Sequence, residues 1–244
     1  MIGLIGGSGL SQLEGLILEQ QMQRETPFGE PSAPLMIGRY ADKTVAFLPR
    51  HGEHHTIPPH LINYRANIWA FHQLGVEQIL AVASVGGITE PYMPGTIALP
   101  DQLIDYSWGR ESSFASEDFS ADKHIDFTYP FDETLRQQIQ LAANSEEMTV
   151  IDGGTYAVTQ GPRLETAAEI QKLKNDGADM VGMTAMPEAA LARELNIAYA
   201  SIAVVANQAA GLSSHPLTIE AILDTMDDSM GLVRRLLKGV IPLL

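Results

Sequence analysis

The amino-acid sequence predicts a single-domain α/β protein whose central sheet is covered by helices on its faces. Short apolar runs alternate along the chain with longer amphipathic segments, which is the pattern of α/β proteins. Two of the runs, 79–85 and 198–206, are apolar throughout, as in strands that are buried on both faces. A length of 244 residues with 45% hydrophobic residues suffices for one compact core.

The elements follow in order from these patterns. The short apolar runs predict strands at 2–5, 35–38, 44–48, 79–85, 96–99, 149–151, 155–159, 179–183 and 198–206. The amphipathic segments predict helices at 59–74, 131–144, 165–176, 186–195 and 218–238. Two stretches rich in Ser, Asp, Gly or Pro, 107–124 and 209–217, are predicted loops, and the first is long enough for a functional or intersubunit role. No repeat or linker divides the chain, so one domain over 1–244 is the simplest organisation.

The composition narrows the possible functions. The absence of Cys excludes a disulfide scaffold and Cys-ligated metals and fits a reducing compartment, so we expect a cytoplasmic location. The formal net charge of −15 disfavours nucleic-acid binding, because that requires clustered Lys and Arg. The N-terminus lacks the basic region of a signal peptide, and no run reaches the ~18 apolar residues of a membrane span. We therefore expect neither a nucleic acid nor a membrane as partner.

Two segments that follow predicted strands could bind an anion. "LIGGSGL" is a Gly-rich turn in which backbone N–H groups and Ser8 could approach an anion, or it is a plain tight turn. "PRHGEHHTIPPH" contains Arg50 and four His residues, among them His51 and His55. Arg50 with His51 could bind phosphate, the His cluster could hold a metal, or these are ordinary surface side chains. The residues alone leave these alternatives open.

Three further segments place side chains at predicted strand ends. The Gly pair of "ASVGGI" lets a ligand approach the backbone or forms a simple turn. In "TQGPRLETAAEIQ", Glu165 lies near a helix start, where it either caps the helix or accepts a hydrogen bond from a ligand N–H. In "VGMTAMPEAALAREL", Met183 is either core or an apolar floor under a flat ligand, and Thr184 either caps a helix or donates to an anion.

Two features near the C-terminus also allow either a structural or a ligand-binding role. In "VVANQAAG" an apolar strand ends in the neutral amide of Asn207, followed by small residues. In "LTIEAILDTMDDSMGLVRRLL", Ile219, Ile222 and Leu223 fall at i, i+3 and i+4 on one helix face. That face either packs on the core or presents an apolar patch to a ligand.

Taken in order, these segments resemble the trimeric purine nucleoside phosphorylase and methylthioadenosine phosphorylase family. The resemblance covers nearly the whole chain through "IGLIGGSGL", "TPFGEPSAPLMIG", "PRHGEHHTIPPHLINYRANIWAF", "VGGITEPYMPGTIALPDQLIDYS", "QGPRLETAAE" and "VGMTAMPEAALARELNIAYASIA". It implies a mixed sheet that forms a partly closed barrel, and a homotrimer or a dimer of trimers. It also implies that inorganic phosphate, without a metal or an organic cofactor, attacks the anomeric carbon of a purine nucleoside.

The resemblance implies roles at the phosphate and ribose positions. By matching position, the phosphate contacts would come from Ser8, Arg50, His51, Ser84 and Thr184. Ser84 enters because Ala83 lacks the hydroxyl that the methylthioadenosine branch has there. Met183 would lie against the ribose, and the implied catalytic residues are Arg50, His51 and Asn207.

The base position departs from the adenine-directed enzymes of the family. Those enzymes have an aspartate-x-aspartate pair where this chain has Asn207 and Ala209. Asn207, and Glu165 with Leu164 beside it, instead match the base-binding positions of 6-oxopurine nucleoside phosphorylases. A carboxylate accepts from N1–H of a 6-oxopurine and an amide donates to N7 or O6, whereas adenine would turn an N1 lone pair towards Glu165. Such a buried mismatch discriminates strongly, because polar groups are left unpaired.

The sugar position, unlike the base position, resembles the methylthioadenosine branch of the family. Enzymes for ordinary ribonucleosides carry a histidine for the 5′-hydroxyl, and the matching residue here is Ile219. With Ile222 and Leu223, this face resembles the 5′-methylthio pocket of the methylthioadenosine branch, and it leaves a 5′-hydroxyl without a partner. His124 matches a residue that reaches into the site of a neighbouring subunit.

Base and sugar positions together predict the phosphorolysis of S-methyl-5′-thioinosine to hypoxanthine and 5-methylthioribose 1-phosphate, a purine-salvage reaction. Alternatives within the family are a general 6-oxopurine nucleoside phosphorylase for inosine and guanosine, and a methylthioadenosine phosphorylase. Outside the family, the alternatives are a metal-dependent hydrolase that uses the cluster from His51 to His55, and a nucleoside-binding protein without chemistry.

Overall fold

The computed structural model of the chain describes residues 1–23, 25–115, 120–213 and 218–244, except for the side chains of Asp122 and Ile219. In these residues there are eleven strands, two more than the sequence predicts, and the five predicted α-helices. None of the helices described there combines the length and the hydropathy that a membrane crossing requires.

The bounds of the elements are as follows. The strands are β1 (Ile2–Gly6), β2 (Ile17–Met22), β3 (Leu35–Tyr40), β4 (Lys43–Pro49), β5 (Gln78–Gly87), β6 (Ile97–Leu99), β7 (Gln102–Asp105), β8 (Val150–Asp152), β9 (Thr155–Val158), β10 (Met180–Gly182) and β11 (Ala198–Gln208). The α-helices are α1 (Tyr64–Gln73), α2 (Glu133–Ser145), α3 (Ala167–Asn175), α4 (Ala185–Glu194) and α5 (Ile219–Val240). Short 3₁₀ helices lie at Pro59–Leu61, Ala121–Lys123 and Ile241–Leu243.

All eleven strands belong to one mixed sheet that branches at β5. β11 pairs in parallel with β5 along its full length, so the other neighbours of β5 share its opposite edge. On that edge β1 pairs in parallel as far as Ala81, and β10 pairs in antiparallel fashion from Gly86 onwards. Residues 82–85 of β5 therefore have no strand beside them on this edge within the described part of the chain. This gap is where the site lies.

The sheet is covered on both faces, because the side chains of β5 alternate between two apolar clusters. Ile79 and Ala81 pack with residues of α1 and α4, and Leu80 and Val82 pack with residues of α2 and α5. The predicted α/β fold with a mixed sheet flanked by helices is confirmed. Within the described residues the sheet ends at β2, β7 and β8, so the barrel that the resemblance implies is at most partly closed.

Two strands and one helix boundary differ from the sequence prediction. β2 and β7 have no apolar run, since β2 is an edge strand with five exposed residues and β7 has no fully buried one. The helix predicted from 59 begins at Tyr64, because the Asn63 side chain accepts a hydrogen bond from the Ala66 N–H and caps it there.

Candidate active site

A cavity of about 180 Å³ opens where β1, β4, β10 and β11 end, beside the unpaired stretch of β5. Ligands in α/β sheets bind beyond the carboxyl ends of strands, so this is the position expected of a site. The cavity lining includes the following residues that the sequence predicts for the site: Ser8, Arg50, His51, Ser84, Leu164, Glu165, Met183, Thr184, Asn207 and Ile222.

The turn after β1 approaches the cavity closely because Gly7 has no side chain. A Cβ at Gly7 would lie 2.5 Å from the Val82 carbonyl oxygen and 2.9 Å from Nη1 of Arg50. Gly9 has a φ of +79°, which residues with a side chain rarely adopt. The two glycines thereby place Ser8 in the cavity wall, on the side of Arg50.

Arg50 follows β4 directly, and its guanidinium is 1% exposed. Nε and Nη2 donate to the Glu188 carboxylate at 2.5 and 2.9 Å, and Nη1 donates to the Val82 carbonyl oxygen at 2.8 Å. Burial disfavours the charged guanidinium, but the Glu188 carboxylate outweighs burial and raises the pKa of Arg50. A guanidinium has five N–H donors, so two remain for an anion in the cavity.

Glu188 is a site-building residue for which the sequence predicts only a place at a helix start. Its carboxylate is completely buried and also accepts a hydrogen bond from the Tyr199 hydroxyl at 2.9 Å. A signal was present, because Glu188 stands among Ala, Met and Pro residues, where an acid can be buried only with a cation beside it. The sequence does not tell which cation that is.

His51 is a neutral ring in this arrangement. Its Nδ1 lies 2.9 Å from the Ile57 carbonyl oxygen, which can only accept, so Nδ1 carries the proton. Burial, the Arg50 guanidinium and His55 lower the pKa of His51 to about 4, although the Ile57 carbonyl favours the charged form. Nε2 is therefore an acceptor at neutral pH, which suits the P–OH group of a phosphate.

The His-rich segment forms no metal-binding cluster in the part of the chain that the structure describes. No group of three His, Cys, Asp or Glu side chains there has the arrangement of a ligand set. Nδ1 of His51 is engaged with Ile57, and the rings of His51 and His55 lie 4.5 Å apart between centroids. These residues therefore provide no ligand set for the metal ion of a hydrolase.

Met183 and Thr184 lie between β10 and α4, in the cavity wall. Met183 packs under the turn at Gly161, where a Cβ would lie 2.5 Å from the Met183 sulfur. Thr184 is the N-cap residue of α4, but its side chain makes no capping hydrogen bond. Of the two roles open to Thr184 in the sequence, the role of anion donor fits this geometry better.

Glu165 is not the cap of α3. Thr166 and Glu169 form a reciprocal capping box at that helix start, so the carboxylate of Glu165 is not needed there. Instead, the Thr159 hydroxyl donates to Oε1 of Glu165 at 2.6 Å. The other oxygen, Oε2, makes no hydrogen bond with the described residues and can accept one from a ligand.

Asn207 owes its position to a bulge in β11. Val205 pairs with Val85 and Asn207 pairs with Gly86, so Ala206 has no partner in the register. Nδ2 of Asn207 donates to the Gln208 carbonyl oxygen at 2.7 Å, which leaves its second N–H for a ligand.

The apolar end of the cavity contains Ile222 but not Leu223. The buried stripe of α5 continues from Ile222 through Met226, Met230 and Val233, and Leu223 lies off this stripe with 49% of its surface exposed. The structure therefore does not bring Leu223 to the cavity of its own chain. The side chain of Ile219, the third residue predicted for this pocket, lies outside the described residues.

His124 also lies away from this cavity. It lines a separate depression with Phe114, Lys123, Arg193 and Glu194. A contribution of His124 to the site of a neighbouring subunit stays a prediction.

The comparisons with known proteins give the family of the chain. A model of the phosphorylase superfamily matches residues 1–242. A probable S-methyl-5′-thioinosine phosphorylase from Pseudomonas syringae pv. tomato is 50% identical over 238 residues, which are 98% of this chain and 97% of that relative. A probable 6-oxopurine nucleoside phosphorylase from Thermococcus kodakarensis is 44% identical over 98% of this chain and 91% of that relative.

A solved structure has the same fold. Methylthioadenosine phosphorylase from Schistosoma mansoni in complex with adenine superposes with a TM-score of 0.95 at 34% identity, over 99% of this chain and 91% of that chain. Because the family model spans nearly the whole sequence and these relatives align from end to end, the chain belongs to the phosphorylase superfamily.

Proposed function

We propose that the protein catalyses the phosphorolysis of S-methyl-5′-thioinosine to hypoxanthine and 5-methylthioribose 1-phosphate, with inorganic phosphate as co-substrate. The observation that carries this proposal is one cavity that holds a carboxylate and an amide, Glu165 and Asn207, together with the apolar Ile222. The name of the Pseudomonas syringae relative supports the same activity.

Phosphate binds between the Gly-rich turn after β1 and the start of α4. Arg50 donates its two remaining N–H groups, Ser8 and Thr184 donate their hydroxyls, and Nε2 of His51 accepts from the P–OH group. A phosphate oxygen then attacks C1′ of the ribose while the C1′–N9 bond breaks and its electron pair passes to the base. The enzyme contributes position to this step, since the anion is held on one face of the sugar.

The leaving base is stabilised at the opposite end of the cavity. The free N–H of Asn207 donates to N7 or O6, where negative charge gathers as the bond to the sugar breaks. Oε2 of Glu165 accepts from N1–H, a donor that a 6-oxopurine has and adenine lacks. The base is therefore read by a pair of groups that favours hypoxanthine.

The sugar end favours a 5′-methylthio group over a 5′-hydroxyl. Ile222 offers no hydrogen bond to a hydroxyl, and the Ile219 position carries no polar group either. A 5′-hydroxyl would lose its hydration there without gaining a partner. This separates the proposal from a general 6-oxopurine nucleoside phosphorylase, whose base contacts would be the same.

An assay of three nucleosides with and without phosphate tests the function. We expect release of hypoxanthine from S-methyl-5′-thioinosine, dependent on phosphate and faster than turnover of inosine or methylthioadenosine. Faster turnover of methylthioadenosine would overturn the base assignment, and faster turnover of inosine would overturn the sugar assignment. Release without phosphate would indicate a hydrolase.

A Glu165→Gln variant sharpens this test. Gln can donate to the N1 lone pair of adenine, so we expect the preference for S-methyl-5′-thioinosine over methylthioadenosine to fall by about 10²-fold or more. Glu169→Gln is the matched control, because Glu169 lies outside the cavity and Gln also completes a capping box. An unchanged preference in Glu165→Gln contradicts the role of Glu165.

We further propose a homotrimer, or a dimer of trimers, in the cytoplasm. His124 lies away from the cavity of its own chain, and the family resemblance places the matching residue in a neighbouring subunit's site, which supports a shared site. The lack of Cys suits a reducing compartment. Light scattering of the purified protein measures the assembly directly, and a monomer that is fully active would contradict the shared site.

A further inference from the structure

Arg110, in the segment between β7 and α2, has a set of contacts that the roles above do not explain. Its guanidinium donates to the carbonyl oxygens of Thr159, Gln160, Met183 and Met186, to Oε1 of Gln160 and to the hydroxyl of Tyr64. The guanidinium also lies over the Tyr64 ring, 5.3 Å from its centroid. All these acceptors are neutral, and no carboxylate pairs with Arg110 among the described residues.

The contacts divide between two chain segments that flank the cavity. Nη2 donates to Thr159 and Gln160 at 3.2 and 2.9 Å, just after β9. Nη1 donates to Met183 and Met186 at 2.7 and 2.5 Å, just after β10. One planar group thus holds the backbones of two neighbouring strand ends at a fixed separation.

Both segments carry site residues. The first contains Thr159, whose hydroxyl holds Oε1 of Glu165 at 2.6 Å. The second contains Met183 and Thr184, which line the cavity. The β9–β10 pairing already joins the two segments as far as the Thr159 N–H, which donates to the Gly182 carbonyl oxygen at 2.9 Å. Beyond that point Arg110 joins them, so the position of the base-reading carboxylate relative to the ribose floor depends on its contacts.

We propose that Arg110 is a positioning residue that fixes the base-binding segment against the ribose-binding segment and so sets the base selectivity of the enzyme. The inference rests on the proposed function, because selectivity is defined by the base that Glu165 reads. Only a guanidinium has enough donors in one plane for both segments; Lys would keep the charge and lose the bridge.

Kinetics of Arg110→Ala and Arg110→Lys with the two methylthio nucleosides test the proposal. We expect both variants to lose roughly 10²-fold in kcat/KM for S-methyl-5′-thioinosine, the cost of a misplacement of about 1 Å. The preference over methylthioadenosine should fall as well. A merely structural residue would lower the amount of active enzyme and leave the preference and KM unchanged, which would overturn the proposal.

Chemical rescue tests whether the guanidinium group of Arg110 acts through its position or through its charge alone. Added guanidinium ion should restore part of the selectivity of Arg110→Ala and none of that of Arg110→Lys, where the lysine fills the space. Arg235→Ala is the control, because Arg235 binds Glu146 on the surface away from the cavity. Should Arg110→Ala fail to fold, Gln160→Leu removes the Oε1 acceptor that Arg110 shares with the Trp108 N–H, and it should shift the selectivity in the same direction.

Hydrogen exchange distinguishes a failure of this inference from a failure of the proposed function. In Arg110→Ala, amides of residues 159–165 and 183–186 should exchange faster than in the wild type, while those of β1 should not. Faster exchange in Arg110→Ala, together with a wild type that cleaves neither nucleoside, would refute the proposed function alone. Unchanged exchange together with unchanged selectivity would refute the role of Arg110.

Discussion

The two ends of the cavity differ in what holds their residues in place. The phosphate end (Ser8, Arg50, His51 and Thr184) has three buried side chains, and its Arg50 is fixed by a buried ion pair. The base end (Glu165 and Asn207) consists of half-buried side chains on a turn and a bulge, each held by one hydrogen bond to a neighbour. In the proposed function, buried side chains therefore bind the reacting anion and half-buried ones recognise the base.

Because of this difference, substitutions at the two ends of the cavity should have different effects. A substitution at the phosphate end alters the packing of the sheet, so stability and activity should change together. A substitution at the base end alters which base is accepted while the fold stays intact. The family can thus exchange its base specificity without rebuilding its phosphate site, which fits the 6-oxopurine and methylthioadenosine enzymes among the relatives.

The largest effect is expected for Glu188→Gln at the phosphate end. The change leaves the Arg50 guanidinium buried without a countercharge, and breaking such a pair costs about 3–5 kcal/mol of the free energy of unfolding. Urea denaturation measures this loss. The control is Glu146→Gln, whose exposed pair with Arg235 is worth about 1 kcal/mol or less. Equal losses of the free energy of unfolding in both variants would show that the buried pair contributes no more to stability than the exposed one.

At the base end, Asn207→Ala should lower kcat by about 10²–10³-fold, the usual cost of removing one donor to a developing charge. KM for the nucleoside should change little, because the charge on the base develops only in the transition state. Gln208→Ala is the control, since its side chain lies outside the cavity. An unchanged kcat, or a loss confined to KM, would remove Asn207 from the catalytic residues.

The most gradual expected effect, spread over the range from pH ~6.5 to 4, is the pH dependence of stability that His51 causes. Its pKa is about 4 in the folded chain, below the ordinary value of ~6.5, so the unfolded chain binds a proton first as the pH falls. The His51 contribution is complete above pH ~6.5 and is lost as the pH falls towards 4, by roughly 3 kcal/mol. In His51→Gln the free energy of unfolding should depend less steeply on pH in this range. If the free energy of unfolding depends on pH equally steeply in the wild type and in His51→Gln, His51 is not a neutral, buried ring.

The fold and the cavity lining follow from the sequence to different extents. The long apolar runs of β5 and β11 are unambiguous because both faces of these strands are buried. β2 could not be predicted, since an exposed edge strand has no apolar pattern. Leu223 was misplaced because i, i+3 and i+4 define a stripe, and only the packed sheet shows that the stripe continues through Met226.

Residues that act through long-range contacts were the hardest to predict. Glu188 and Arg50 are 138 positions apart and meet only in the folded chain. Arg110 donates to backbone carbonyl oxygens. Because every residue has a carbonyl oxygen, no pattern of residue types in the sequence predicts which ones Arg110 contacts. The ligand-facing residues were accessible through family motifs, whereas the residues that hold them in place were not.

The neutral pair of Arg50 and Glu188 has a consequence for how phosphate reaches the enzyme. With the guanidinium balanced and His51 uncharged, little positive potential extends from the cavity mouth, and the formal charge of −15 repels an anion at long range. In the proposed function, phosphate therefore diffuses to the cavity against this repulsion and is selected only on contact, by short hydrogen bonds. Raising the ionic strength screens the repulsion within a Debye length of about 10 Å at 0.1 M. Moderate salt should thus speed phosphate capture, the opposite of its effect on enzymes that attract their anions with a net positive site.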